Sequence, residues 1–178
     1  LFEELGRGPV PGPMFSSGVL AASIILEAGT DAQKKAWLPE LATGERIFAV
    51  AVTEQQYGWT EGHVQMTATV SGADYQLSGV KLFVQDAASA TDLLIAARVD
   101  GDVALLRIDA KADGVSVRPL TGFISGGAEV IFDKATVSGA DRLEGGWTAF
   151  ERALLPAIPI LCAYKVGACG AVYDMSVN

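Results

Sequence analysis

The spacing of apolar residues changes twice along the chain, and this constrains the fold more than any other feature. Up to about Gly44 the apolar residues recur at helical spacing. Residues 45–137 instead alternate every second position or form short apolar runs between tight turns, and helical spacing returns after Gly145. Six to eight short strands without an intervening helix predict an antiparallel barrel or sandwich.

The predicted fold class is therefore α+β. An antiparallel β-barrel-like middle domain lies between an N-terminal helical hairpin and the first helix of a C-terminal helical bundle. The predicted boundaries are 1–44 for the end of the N-terminal helical domain, 45–140 for the middle domain and 141–178 for the start of the C-terminal helical domain.

Capping signals mark the helical hairpin. Ser16 or Ser17 is placed to cap the first helix, and Gly29 is expected to end it with a positive φ. Thr30 and Gln33 have the spacing of a capping box, which predicts that the second helix starts there.

The last helix is predicted over residues 147–175 and is apolar around most of its circumference, as in a helix buried within a bundle. Pro156 and Pro159 are expected to kink it or to delay its start, because each lacks an amide donor. The apolar run of residues 153–164 is shorter than the roughly twenty residues of a membrane span, so no span is expected.

Charge and residue usage exclude several function classes. The 178-residue chain has a net charge of −8, which disfavours nucleic acid and anionic membrane surfaces. The only histidine, His63, is distant from Cys162 and Cys169, so a metal site is unsupported. The two cysteines are expected to be buried free thiols in a reducing, cytoplasmic compartment. Without an initial methionine or a signal sequence, the chain is expected to be an internal fragment of a longer polypeptide.

Two strands are each followed by a polar, turn-prone tip. The first tip follows residues 50–54, Val-Ala-Val-Thr-Glu, and the second ends residues 79–87, Gly-Val-Lys-Leu-Phe-Val-Gln-Asp-Ala. One sheet can bring both tips together. The order and spacing of these two tips and four further segments resemble the acyl-CoA dehydrogenase family across essentially the whole chain. The four segments are residues 3–7, 29–45, 92–98 and 151–168.

The resemblance implies an FAD site at the two tips. At the first tip it implies that the amides of Val52 and Thr53 meet the flavin ring and that Gly58 and Trp59 lie towards the diphosphate. At the second tip it implies that three residues face the ring, with the aromatic side chain covering it. These three are Phe83, Val84 and Gln85.

Three positions depart from the family pattern. Trp59 stands in place of a serine, Thr60 in place of an acid and Gln85 in place of a threonine, so a hydroxyl for the diphosphate is lost. Glu54 is interpreted as a solvated turn residue, because a lone carboxylate without a burying context is uninformative.

The resemblance implies α,β-dehydrogenation of an acyl-CoA thioester, with an electron-transfer flavoprotein or similar acceptor and a homo- or hetero-oligomer. The base glutamate of the family corresponds to a position beyond Asn178, so no residue of this chain is assigned as catalytic and the fragment is expected to be inactive alone. Two alternatives remain open. One is a non-catalytic, dehydrogenase-like structural subunit with a degenerate flavin site. The other is a related flavoenzyme that uses oxygen or another acid substrate.

Overall fold

Helices flank a mixed sheet in the computed structural model, which describes residues 1–122 and 126–177. The α-helices are α1 (Phe2–Arg7), α2 (Ala22–Ala28), α3 (Asp31–Thr43) and α4 (Gly146–Val177), and a π-helical turn, Ser16–Ala21, leads directly into α2. The strands are β1 (Phe48–Ala51), β2 (Thr67–Ser71), β3 (Asp74–Gln85), β4 (Asp92–Val99), β5 (Asp102–Asp109), β6 (Val115–Pro119) and β7 (Gly127–Val137).

The strand order within the described residues is β1-β4-β2-β3-β7-β6, with β5 also paired to β4. The predicted α+β class, with a barrel-like sheet between helical segments, is confirmed, and the sheet forms a half-barrel. The sheet is mixed, however, because β1 runs parallel to β4 and β2 meets β4 in parallel at Thr67 and Arg98. A parallel pair needs a crossover connection rather than a tight turn, and the β2–β3 hairpin is part of the crossover between β1 and β4.

Strand β4 separates two hydrophobic cores. Its alternate residues Leu93 and Ile95 face the core enclosed by the sheet, while Leu94 and Ala96 face the helices. A strand buried on both faces reads as an unbroken apolar run, and residues 93–97 of β4 do so. The helices are therefore anchored on the outer face of β1, β4 and β5.

The capping box at the start of α3 is present as predicted. Thr30 accepts a hydrogen bond from the Gln33 amide at 3.2 Å, and the Gln33 side chain accepts one from the Thr30 amide at 2.9 Å. Gly44 ends α3 in the left-handed conformation at φ 80°. Gly29 ends α2 as predicted, but the predicted positive φ was wrong, since its φ is −73°. Glycine is required there for space, because a Cβ atom would press on the Ile25 carbonyl oxygen.

Ser16 and Ser17 do not cap a helix. Both lie inside the π-helical turn and are buried, so their hydroxyls contact other elements. The Ser17 Oγ accepts a hydrogen bond from the Phe48 amide at 3.0 Å, which ties this turn to β1. The Ser16 Oγ donates a hydrogen bond to the Asp86 carboxylate at 2.6 Å, which ties the π-helical turn to the end of β3.

Helix α4 continues through Pro156 and Pro159 and leaves much apolar surface uncovered. Leu155 is 70% exposed and Val166 is 60% exposed. The expected burial of the two cysteines was wrong, because both thiols lie on the uncovered side of α4 and are exposed. Within the described residues, α4 alone is long and apolar enough to cross a membrane by length and composition, a test that core helices of soluble proteins also pass.

Glycines allow α1 and α4 to touch backbone to backbone. A Cβ atom on Gly6 would overlap the carbonyl oxygen of Tyr164, and one on Gly167 would overlap the carbonyl oxygen of Glu3. Gly170 lies one turn further along α4, where a Cβ atom would meet only the tip of the Arg7 side chain, at 3.2 Å. The close approach therefore depends on two glycines, one on each helix.

We expect Gly167→Ala to separate α1 from α4, because the new methyl group has no space against a helix backbone. Overpacking of this kind costs about 1–3 kcal/mol of unfolding free energy. The measurements are thermal unfolding and limited proteolysis of the N-terminal segment.

Gly170→Ala is the matched control. It adds the same methyl group against a movable side chain and gains helix propensity, so the melting temperature should hold or rise. Equal melting temperatures for the Gly167 and Gly170 variants would show that the helices are not in backbone contact.

Candidate functional site

A cavity of about 820 Å³ opens between the two strand tips and the helices. Its wall is mainly apolar and is formed by residues of α1, the following loop, the π-helical turn and α4. These residues include Phe2, Leu5, Val10, Met14, Phe15, Leu20, Leu161 and Tyr164. The polar side chains of the wall are concentrated at the strand tips, as expected for a binding pocket with a few orienting groups.

Four of the residues that the sequence singled out line this cavity together. Thr53 and Trp59 come from the first tip, and Phe83 and Gln85 come from the second. The predicted meeting of Thr53 and Phe83 at one crevice is therefore present.

The other three residues predicted to bind the cofactor do not line the cavity. The side chains of Val52 and Val84 are almost fully buried, at 2% and 1% exposure, so only their backbones can face a ligand. Gly58 lies against the ring of His63, where a Cβ atom would not fit.

Trp59 joins the first tip to α4. Its Nε1–H donates to the Thr53 Oγ at 2.8 Å, and its ring packs on Phe150 with the centroids 5.8 Å apart. Since an indole nitrogen only donates, the Thr53 hydroxyl accepts in this bond and its own proton remains available for an acceptor in the cavity. The Thr60 hydroxyl is hydrogen-bonded to His63 Nδ1 at 2.6 Å.

A β-bulge shapes the second tip. The register of β3 against β7 shifts between Lys81 and Val84. Phe83 lies within the bulge at φ 53° and is 57% exposed. Bulges re-aim side chains, and here the bulge turns Phe83 out of the sheet towards the cavity.

A buried ion pair joins the two tips beneath the cavity. Lys81 Nζ lies 2.6 Å from Glu54 Oε1 and donates to the Val52 carbonyl at 3.2 Å. The Lys81 side chain is fully buried, and the Glu54 carboxylate also accepts the amides of Gln65 and Met66. Burial lowers the pKa of Lys81, and the Glu54 carboxylate opposes that shift.

Comparison with known proteins shows which family the chain resembles. Residues 1–45 match the model of the acyl-CoA dehydrogenase N-terminal domain. The chain is 37% identical over 99 residues to (2S)-methylsuccinyl-CoA dehydrogenase of Cereibacter sphaeroides, covering 55% of this chain and 18% of that protein. It is 30% identical over 138 residues to an acyl-CoA dehydrogenase of Mycobacterium tuberculosis, covering 67% of this chain and 36% of that protein.

Solved structures share the fold. A glutaryl-CoA dehydrogenase of Mycobacterium smegmatis, solved in complex with FADH2, superposes with a TM-score of 0.90 at 22% identity. That match covers 99% of this chain and 48% of the other. The chain belongs to the acyl-CoA dehydrogenase family. It spans about half the length of this solved relative and a smaller share of the curated ones.

Within this acyl-CoA dehydrogenase scaffold, sequence reasoning missed the role of Glu54. The interpretation of Glu54 as a solvated turn residue was wrong, since it is 9% exposed and paired. A signal was available on β3. Lys81 is in phase with the buried Leu77 at two-residue spacing, and an inward-facing lysine requires an acceptor.

We expect Glu54→Leu to destabilise the acyl-CoA dehydrogenase fold more than Lys81→Met does. The first change leaves a buried ammonium group without its counter-charge and two amides without their acceptor, which costs about 3–5 kcal/mol of unfolding free energy. The second leaves Glu54 still accepting both amides. Denaturant unfolding of both single variants and the double variant measures the coupling between them.

Arg118→Met supplies the control, because Arg118 makes a long, exposed ion pair of 3.7 Å with Glu129. Such a pair is worth about 0–1 kcal/mol. If Glu54→Leu cost no more than this control, the buried pair would not be what holds the tips together.

Proposed function

We propose that this chain forms the flavin-facing part of an FAD-dependent acyl-CoA dehydrogenase, which removes hydrogen from the α- and β-carbons of an acyl-CoA thioester. The observation that carries the proposal is the meeting of Thr53, Phe83 and Gln85, from two separate tips, on one wall of a mainly apolar cavity. Such a cavity, with a few polar groups at one end, suits a planar cofactor and an acyl chain.

The residues present fit the ring half of FAD. The exposed face of Phe83 suits a planar aromatic ring, and the Thr53 hydroxyl retains a proton to donate to a ring oxygen or nitrogen. When bound, FAD supplies the acceptor for a hydride from the β-carbon. The protein's own part is to orient the ring and to exclude water with the apolar wall.

The diphosphate half fits less well. Trp59 is donor-only and its donor is used by Thr53, while the Thr60 hydroxyl is used by His63. Among the described residues of the cavity wall there is no lysine, arginine or histidine. We therefore propose that the diphosphate and adenine contacts come from outside this chain, and that the chain alone binds FAD weakly.

The proton of the acyl α-carbon requires a carboxylate base. Among the described residues, Asp86 is the carboxylate that lines the cavity, and it accepts a hydrogen bond from Ser16. We assign the base to no residue of this chain. The chain on its own is accordingly proposed to be inactive.

A non-catalytic subunit is the second candidate, and Trp59 is the observation that favours it. The indole lines the cavity and is fixed at both ends, by Thr53 and by Phe150. A bulky ring held at this tip takes up space beside the flavin site. In that case the chain would act as a structural partner in a hetero-oligomer.

The family resemblance also suggests partners and a compartment. We propose an electron-transfer flavoprotein or similar carrier as the electron acceptor. The uncovered apolar side of α4, including Leu155 and Val166, suits packing against further helices or a second subunit. Free thiols at Cys162 and Cys169 suit the reducing cytoplasm.

The flavin spectrum tests the proposal and separates the two candidates. We expect the purified complete gene product to be yellow and to lose its flavin absorbance when acyl-CoAs of graded chain length are added without oxygen. A colourless protein that binds no added FAD would favour the non-catalytic subunit. A flavin that acyl-CoAs leave oxidised would indicate another substrate class.

We expect Trp59→Ser to strengthen FAD binding, because it removes the indole and returns a hydroxyl to the tip. One regained hydrogen bond to a charged group is worth about 1.5–3 kcal/mol, or roughly a tenfold or greater fall in Kd. Isothermal titration with FAD measures it. Trp59→Phe is the control, since it keeps a ring against Phe150 but has no donor, and it should not bind FAD more tightly.

A further inference from the structure

Two aromatic residues with strained backbones face each other at the rim of the cavity. Tyr57 lies on the first tip at φ 50°, and Phe83 lies on the second at φ 53°. Both are largely exposed, at 73% and 57%. A left-handed backbone is a genuine outlier for a bulky residue, and exposed side chains recover little of its cost through burial.

The rings make a specific contact. Their centroids are 5.7 Å apart and their planes meet at 85°, which is the edge-to-face geometry that aromatic quadrupoles favour. Phe83 lines the cavity, whereas Tyr57 does not. Tyr57 therefore braces Phe83 from outside the cavity.

Strain is concentrated around this site. The described non-glycine residues with positive φ are Tyr57, Phe83, Asp86, Asp100 and Lys134. The first three belong to the two tips, and Phe83 and Asp86 both line the cavity. Asp100 lies in a hairpin turn and Lys134 in β7, away from the cavity wall.

We infer that Tyr57 is a positioning residue that fixes the plane of the Phe83 ring, so that its face is presented to a flat aromatic ligand in the cavity. The inference rests on the proposed function for the identity of that ligand, the flavin ring. A free Phe83 side chain, more than half exposed, would sample several rotamers. Ordering it beforehand lowers the entropic cost of stacking.

The positioning itself is tested without a ligand. In the chain with ¹³C-labelled phenylalanine, we expect nuclear Overhauser contacts between the Tyr57 and Phe83 rings and a ring-current shift of the Phe83 signals. Tyr57→Gly should shift the Phe83 signals towards random-coil values, whereas Tyr57→Phe should keep them displaced. Unchanged Phe83 signals in Tyr57→Gly would overturn the inference.

The effect of Tyr57 on flavin binding is tested with FMN and FAD as probes. Tyr57→Gly relieves the left-handed backbone, so its melting temperature should hold or rise, while its flavin Kd rises about two- to tenfold. Lys134→Gly is the matched control. It relieves the same backbone strain away from the cavity and should raise the melting temperature by about 2–4 °C with no change in flavin Kd.

These measurements distinguish failure of the positioning role of Tyr57 from failure of the proposed flavin binding. A Tyr57→Gly variant with the parental flavin Kd and bound-flavin spectrum would overturn the positioning role. If the parent binds neither probe at millimolar concentration, the flavin half of the proposed function fails. The Phe83 signals then still decide whether Tyr57 fixes that ring.

Discussion

The ion pair of Lys81 and Glu54 is the interaction on which the site depends. It joins two strand tips that are far apart in sequence, at a point where the Lys81 side chain is fully buried and the Glu54 side chain is only 10% exposed. A buried pair of this kind is stable only when its remaining hydrogen-bonding groups are satisfied. Here the Val52 carbonyl and the amides of Gln65 and Met66 complete it, so the pair ties β3 to the backbone of the first tip and to the segment that leads into β2.

Other contacts tie the same tips to their surroundings. Above the ion pair, Trp59 links Thr53 to Phe150 on α4, and Ser16 links the π-helical turn to Asp86. The helices reach this position because β4 carries an apolar surface on both faces, one for the sheet core and one for the helices. The cavity is therefore held between a braced sheet and helices that pack on its back, as a pre-formed site requires.

Local signals explain why much of the fold was predictable from sequence. The Thr30 capping box and the period-two strands depend on neighbouring residues, so the sequence displays them directly. The role of Glu54 depends on Lys81, twenty-seven positions away. The phase of Lys81 on β3 indicates that it needs a buried acceptor, but no local pattern shows that Glu54 is that acceptor. The exposure of Cys162 was missed for a related reason, since it depends on which face of α4 the short helix α1 covers.

The contacts of the strained residues show which substitutions would change the cavity wall without changing the rest of the fold. Phe83 owes its left-handed backbone to the bulge that follows Lys81, so the ion pair and the aromatic wall are adjacent on one strand. A substitution at Lys81 would disturb both, whereas one at Tyr57 would disturb the ring alone. Trp59 lies between these extremes, because its indole contacts both Thr53 and α4. Its indole makes no contact with Lys81 or Glu54, so replacing it would change the cavity wall and leave the buried pair in place. If the proposed function holds, Trp59 is therefore the position at which flavin affinity would change without loss of the fold.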